Sequence, residues 1–79
     1  MEDLAGAISD FTKATELNPS ESAVFYNRGI ALAHKKDFEK AIRDFERAAI
    51  LDPKIETKVR EQIDYCRTHL KNSAKKIMK

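Results

Sequence analysis

The sequence predicts an all-α protein of four helices with short connections, arranged as antiparallel helix-turn-helix repeats. Three observations carry this reading. The stretch AISDFTKATELNP at residues 7–19 returns as AIRDFERAAILDP at residues 41–53, identical at seven of thirteen positions and displaced by 34 residues. Apolar residues recur at three- and four-residue steps, the period of one helix face, and no alternating strand pattern interrupts them. Pro19 and Pro53 close the two copies at the same place. A proline lacks the N–H a helix needs and pushes the residue before it out of helical geometry.

In the first helix, Leu4, Ala7, Ile8, Phe11, Ala14 and Leu17 form one stripe that should stop near Asn18. Gly6 weakens its first turn by about 1 kcal/mol relative to Ala. Between the prolines the pattern divides in two. A helix over about 22–34 places Val24, Phe25, Gly29, Ala31 and Leu32 on its packing surfaces, and HKKD then breaks the period. Asp37 is the expected N-cap of the next helix, its carboxylate accepting from free backbone N–H groups. That helix, about 38–51, buries Phe38, Ala41, Ile42, Phe45, Ala48 and Ala49. Its outer face should pair Glu39 with Arg43 and Asp44 with Arg47, each worth a few tenths of a kcal/mol. After Pro53 a longer helix carries Ile55, Val59, Ile63, Cys66, Leu70, Ala74 and Ile77 on one stripe.

Composition narrows the function. A chain of 79 residues holds one small domain. With 42% hydrophobic and 35% charged residues it suits amphipathic helices rather than disorder. A net charge of +2 supplies no global basic field for nucleic acid. No apolar run approaches the roughly 18 residues of a membrane span, and no secretory leader pattern opens the chain. The single cysteine, Cys66, cannot form an internal disulfide, so a reducing, cytoplasmic setting is the expectation.

The 34-residue period of helix-turn-helix resembles the tetratricopeptide repeat. Phe25, Gly29, Leu32, Ala41, Phe45, Ala48 and Pro53 match the family spacing, five identical in kind and two by apolar substitution. Arg28 departs where Leu is usual, so its guanidinium must snorkel or find a partner. Ala7, Phe11, Ala14 and Pro19 match the second half of a preceding repeat. The resemblance implies an α-solenoid with three parts: residues 1–18 as the second helix of a partial repeat, 19–53 as a complete repeat, and 54–79 as a capping helix with a basic tail. It further implies the C-terminal end of a longer array. Gly29 and Ala41 are small where two antiparallel helices cross, and Phe25, Leu32 and Phe45 fill the volume beside them.

Catalysis needs a nucleophile beside a base, or converging carboxylates. Here the acids are spread over helix exteriors, and His34 and His69 have no Cys or His at ligand spacing. No enzyme activity, metal, cofactor or small-molecule substrate is expected. By resemblance the chain is a scaffold or adaptor that binds a peptide or partner protein on a concave face. The residues implied are Tyr26, Asn27, Ile30, Ala33 and His34, with Arg60, Asp64 and Arg67 from the last helix. Asn27 can clasp a peptide backbone, and the arginines can pair with a carboxylate. A chaperone-tail clamp is not expected: Asn27 fits one of its positions, but Thr57 and Glu61 stand where Lys and Arg are needed. The alternative is a homodimer formed through an apolar patch of Leu4, Ala7, Ile8 and Phe11, whose usual antiparallel partner is missing. Binding of nucleic acid by Lys71, Lys75, Lys76 and Lys79, or by Lys35 and Lys36, ranks behind both, since cations also favour a helix C-terminus.

Overall fold

The computed structural model describes residues 3–77, with side chains described over residues 3–70. Four α-helices follow in order: α1 (Leu4–Leu17), α2 (Ser22–His34), α3 (Phe38–Leu51) and α4 (Glu56–Ile77), with a 3-10 turn at Pro53–Ile55 before α4. Each helix packs on the next in the chain, α1 on α2, α2 on α3 and α3 on α4. The predicted fold class holds. Ala74, Ile77 and the basic residues Lys71, Lys75, Lys76 and Lys79 have side chains outside the described residues.

The two proline signals act alike. Asn18 and Asp52 cap α1 and α3 with nearly the same backbone, φ/ψ of −142°/82° and −141°/91°. Each donates its N–H to the carbonyl four residues back, on Ala14 and Ala48. Extended geometry at both follows from the proline that comes next. At the start of α1 the Asp3 carboxylate accepts from the Gly6 N–H at 2.9 Å, which offsets the weakness of that first turn.

The HKKD break is a Schellman turn. Asp37 N–H donates to the Leu32 carbonyl at 2.8 Å and Lys36 N–H to that of Ala33 at 2.9 Å. Lys36 sits at φ 71°, left-handed geometry that costs a non-glycine residue about 1 kcal/mol. Asp37 does occupy the N-cap position of α3, but its side chain accepts no capping bond. Its carboxylate instead lies 3.9 Å from Lys40 Nζ, so the expected mode of capping is corrected.

Leu32, Phe38, Ala41, Phe45, Ala48, Val59 and Cys66 form the core, centred on α3, with Phe45, Ala41, Ala48 and Cys66 fully buried. Gly29 and Ala41, the two small residues expected at a helix crossing, are both buried, and Gly29 meets Phe45. A Cβ built on Gly29 would lie 2.7 Å from Cε1 and 2.9 Å from Cδ1 of Phe45, so the ring rests directly on the glycine backbone. In α4, Val59 and Cys66 reach the core while Ile63 and Leu70, with Ile55 of the 3-10 turn, pack at its margin.

Asp44 overturns one expectation. It does not pair with Arg47 on the outer face but is buried, 6% exposed, against Arg28. The Nε and Nη2 groups of Arg28 donate to the two Asp44 oxygens at 2.7 and 2.8 Å, a bidentate fork.

Candidate peptide-binding cleft

Two depressions open between elements and divide the residues implicated by the sequence. The first, about 380 Å³, lies between α2 and α4. Ile30, Ala33 and His34 form one wall and Glu61, Gln62 and Tyr65 the other. The second, about 470 Å³, lies between α3 and α4. It holds Arg60, Asp64 and Arg67 together with Glu46, Ile50 and Ile63. Arg60 Nη2 donates to Glu56 Oε2 at 3.2 Å across an exposed helix turn, a pair of little energetic weight.

The division has a geometric cause. Residues 34 apart occupy equivalent sites on two similarly oriented helices and point the same way. Facing walls of a cleft must come from different registers, so Ile30 and Ala33 look towards Glu61 and Tyr65 rather than sharing a surface with Asp64 and Arg67. Glu61, Gln62 and Tyr65 were missed for that reason. The available signal was Tyr65, an aromatic one step off the inward-facing Ile63–Cys66 stripe, and it is 53% exposed.

Tyr65 is held from behind. Its ring centroid lies 4.2 Å from that of His69, which stacks on Phe38 at 5.2 Å. The buried Phe38 therefore fixes the orientation of an exposed aromatic surface. Tyr26 is turned inward: its ring lies 5.5 Å from Phe45, with Lys58 Nζ 4.9 Å above it. The lysine ties α4 to α2 by a cation–π contact. Asn27 stands exposed on α2.

On α1, Leu4, Ala7 and Phe11 are half-buried, whereas Ile8 packs inward against the core. Thr12 and Thr15 face Arg28, whose Nη1 donates to both hydroxyl oxygens at 3.3 Å. Each hydroxyl proton is already spent on a carbonyl, Thr12 on Ile8 and Thr15 on Thr12, so the lone pairs remain free to accept. Asp44 holds the guanidinium firmly in its charged form, raising its pKa through the hydrogen bonds it accepts.

Cys66 is fully buried, and loss of water around it raises the thiol pKa above its ordinary value of 9.0. That makes it a packing residue rather than a nucleophile. Among the described residues no group of three His, Cys, Asp or Glu side chains is placed to hold a metal ion. No helix among them is long and apolar enough to cross a membrane.

Antiparallel helical hairpins stacked in chain order, with a cleft between alternate helices, define an α-solenoid repeat module. The family model of the tetratricopeptide repeat matches residues 22–55, which span α2, α3 and the 3-10 turn. Residues 22–55 thus resemble one tetratricopeptide repeat, and repeats of this family generally mediate protein–protein interaction without catalysis. Comparison with curated proteins and with solved structures gives no match.

Proposed function

We propose that the chain is a non-catalytic scaffold or adaptor whose cleft between α2 and α4 holds a peptide or an extended segment of a partner protein. The observation that supports this is the composition of the cleft. Ile30 and Ala33 offer an apolar strip, Tyr65 an exposed ring, and Gln62 an amide, with Asn27 exposed on the same helix as the strip. An extended peptide presents alternating side chains and unpaired backbone groups. The strip and the ring take the former, and amides, which donate and accept, take the latter. His34 and Glu61 on the rim select for charge rather than adding much affinity.

The test is a phage-displayed peptide library selected against the whole chain. Selected peptides should bind Tyr65→Ala and Asn27→Ala variants about tenfold more weakly, with melting temperatures close to the parent. Peptides that bind both variants as well as the parent would remove the cleft from consideration.

Self-association through α1 is the second reading. Its support is the half-exposed Leu4, Ala7 and Phe11, without Ile8, which is already packed inward.

A further inference from the structure

We propose that the outward face of α1 is a docking site for an amphipathic helix of a partner protein that carries an Arg-Gly pair, the arginine for Asp10 and the glycine for Phe11. This goes beyond the cleft, because it uses a different surface and a different ligand chemistry.

The chain contains its own template. Ala7, Asp10, Phe11 and Ala14 of α1 recur 34 residues later as Ala41, Asp44, Phe45 and Ala48 of α3. On α3 two members of this set are met by α2, Phe45 resting on Gly29 and Asp44 receiving the Arg28 fork, and Ala41, Phe45 and Ala48 are fully buried. On α1 the same four residues have no such helix over them among the described residues. Ala7, Phe11 and Ala14 are only half-buried and Asp10 is exposed. One carboxylate beside one ring on an amphipathic helix therefore specifies its occupant by charge and by shape. The acid calls for arginine, and the ring calls for a neighbour without Cβ, because a Cβ at the equivalent contact would fall 2.7 Å from the ring.

A second copy in its native fold does not meet this specification. The single Arg-Gly of the sequence is Arg28-Gly29, already engaged with Asp44 and Phe45. The helix that could be lent, α4, has Gln62-Ile63 at the equivalent positions, a neutral amide and a branched side chain. Ile63 would overpack against Phe11, so α4 excludes end-to-end growth of identical chains while an Arg-Gly helix is admitted.

A synthetic peptide with the sequence of residues 19–35, PSESAVFYNRGIALAHK, serves as the probe, labelled with a fluorophore and titrated with the whole chain by fluorescence anisotropy. Saturable one-to-one binding is expected with Kd below about 1 mM, since a short helix must be ordered on docking. Gly29→Ile in the peptide should weaken binding by about tenfold or more. Asp10→Asn in the chain should weaken it several-fold and abolish the further loss caused by Arg28→Gln in the peptide. Absence of saturation overturns the proposal. So does binding that ignores Asp10→Asn, which would mean that the peptide replaces the chain's own α2. Concentration-dependent dimerisation that the peptide does not reverse would give the face to a second copy, and equally overturns it.

Discussion

Gly29 is the position at which the packing leaves least room. Phe45 is fully buried, so its ring has nowhere to retreat from a side chain added beneath it. Gly29→Leu should destabilise the fold by about 2 kcal/mol, lowering the melting temperature by on the order of 10 °C, as thermal unfolding by circular dichroism would read. An unchanged melting temperature would refute the contact. This site was legible in the sequence because a glycine inside an otherwise good helix invites a packing reason. Lys36 was not. Left-handed geometry is usual for glycine, and a lysine gives no sign that it must adopt it. Asp37 was half legible: its place at the helix start was clear, but capping depends on a side-chain rotamer that the sequence does not specify.

At the scale of elements, Arg28 joins three helices. Its guanidinium engages Asp44 on α3 and the two threonine hydroxyls on α1. Asp44→Ala leaves that charge without its partner and should cost about 2–3 kcal/mol, somewhat below a fully buried pair because Arg28 retains some exposure to water. Adding Arg28→Leu removes the stranded charge and should restore much of the loss. Urea titration of the two single variants and the double variant measures the coupling, and additive losses would show that the pair contributes nothing as a pair. The need for a partner at Arg28 was visible from its place on a packing surface. Its identity was not, because Asp44 has a local candidate in Arg47 and the actual partner lies sixteen residues earlier on another helix.

The whole molecule is an elongated stack, with a radius of gyration of 13.1 Å against about 12 Å for a compact chain of this length. Few residues carry its core, so one buried ionisable group at the α3–α4 interface bears on global stability. The Cys66 thiol ionises at higher pH in the folded chain than in the unfolded one, where its ordinary value of 9.0 applies. Above that pH the unfolded chain binds fewer protons, so stability falls as pH rises. Below it the thiol is neutral in both states and the contribution is complete. A Cys66→Ala variant should lose less stability between pH 8 and pH 10 than the parent, by urea unfolding at each pH; equal slopes would argue against burial of the thiol.

The sequence by itself determined the helices, their ends and the 34-residue repeat, since apolar period and proline position act over a few residues and need no distant partner. It also exposed the tight site at Gly29, because a glycine inside an otherwise good helix invites a packing reason and Phe45 stands in the repeated pattern. Only the tertiary structure decided which flank of each helix met which neighbour. It turned Asp44 inward to Arg28, laid Tyr26 against the core, and set Glu61, Gln62 and Tyr65 rather than Arg60, Asp64 and Arg67 opposite Ile30 and Ala33. A helical period defines a stripe only to within a residue or so of its edges. The edge residues are assigned by how two helices rotate against one another, and that rotation is set by the core that they share.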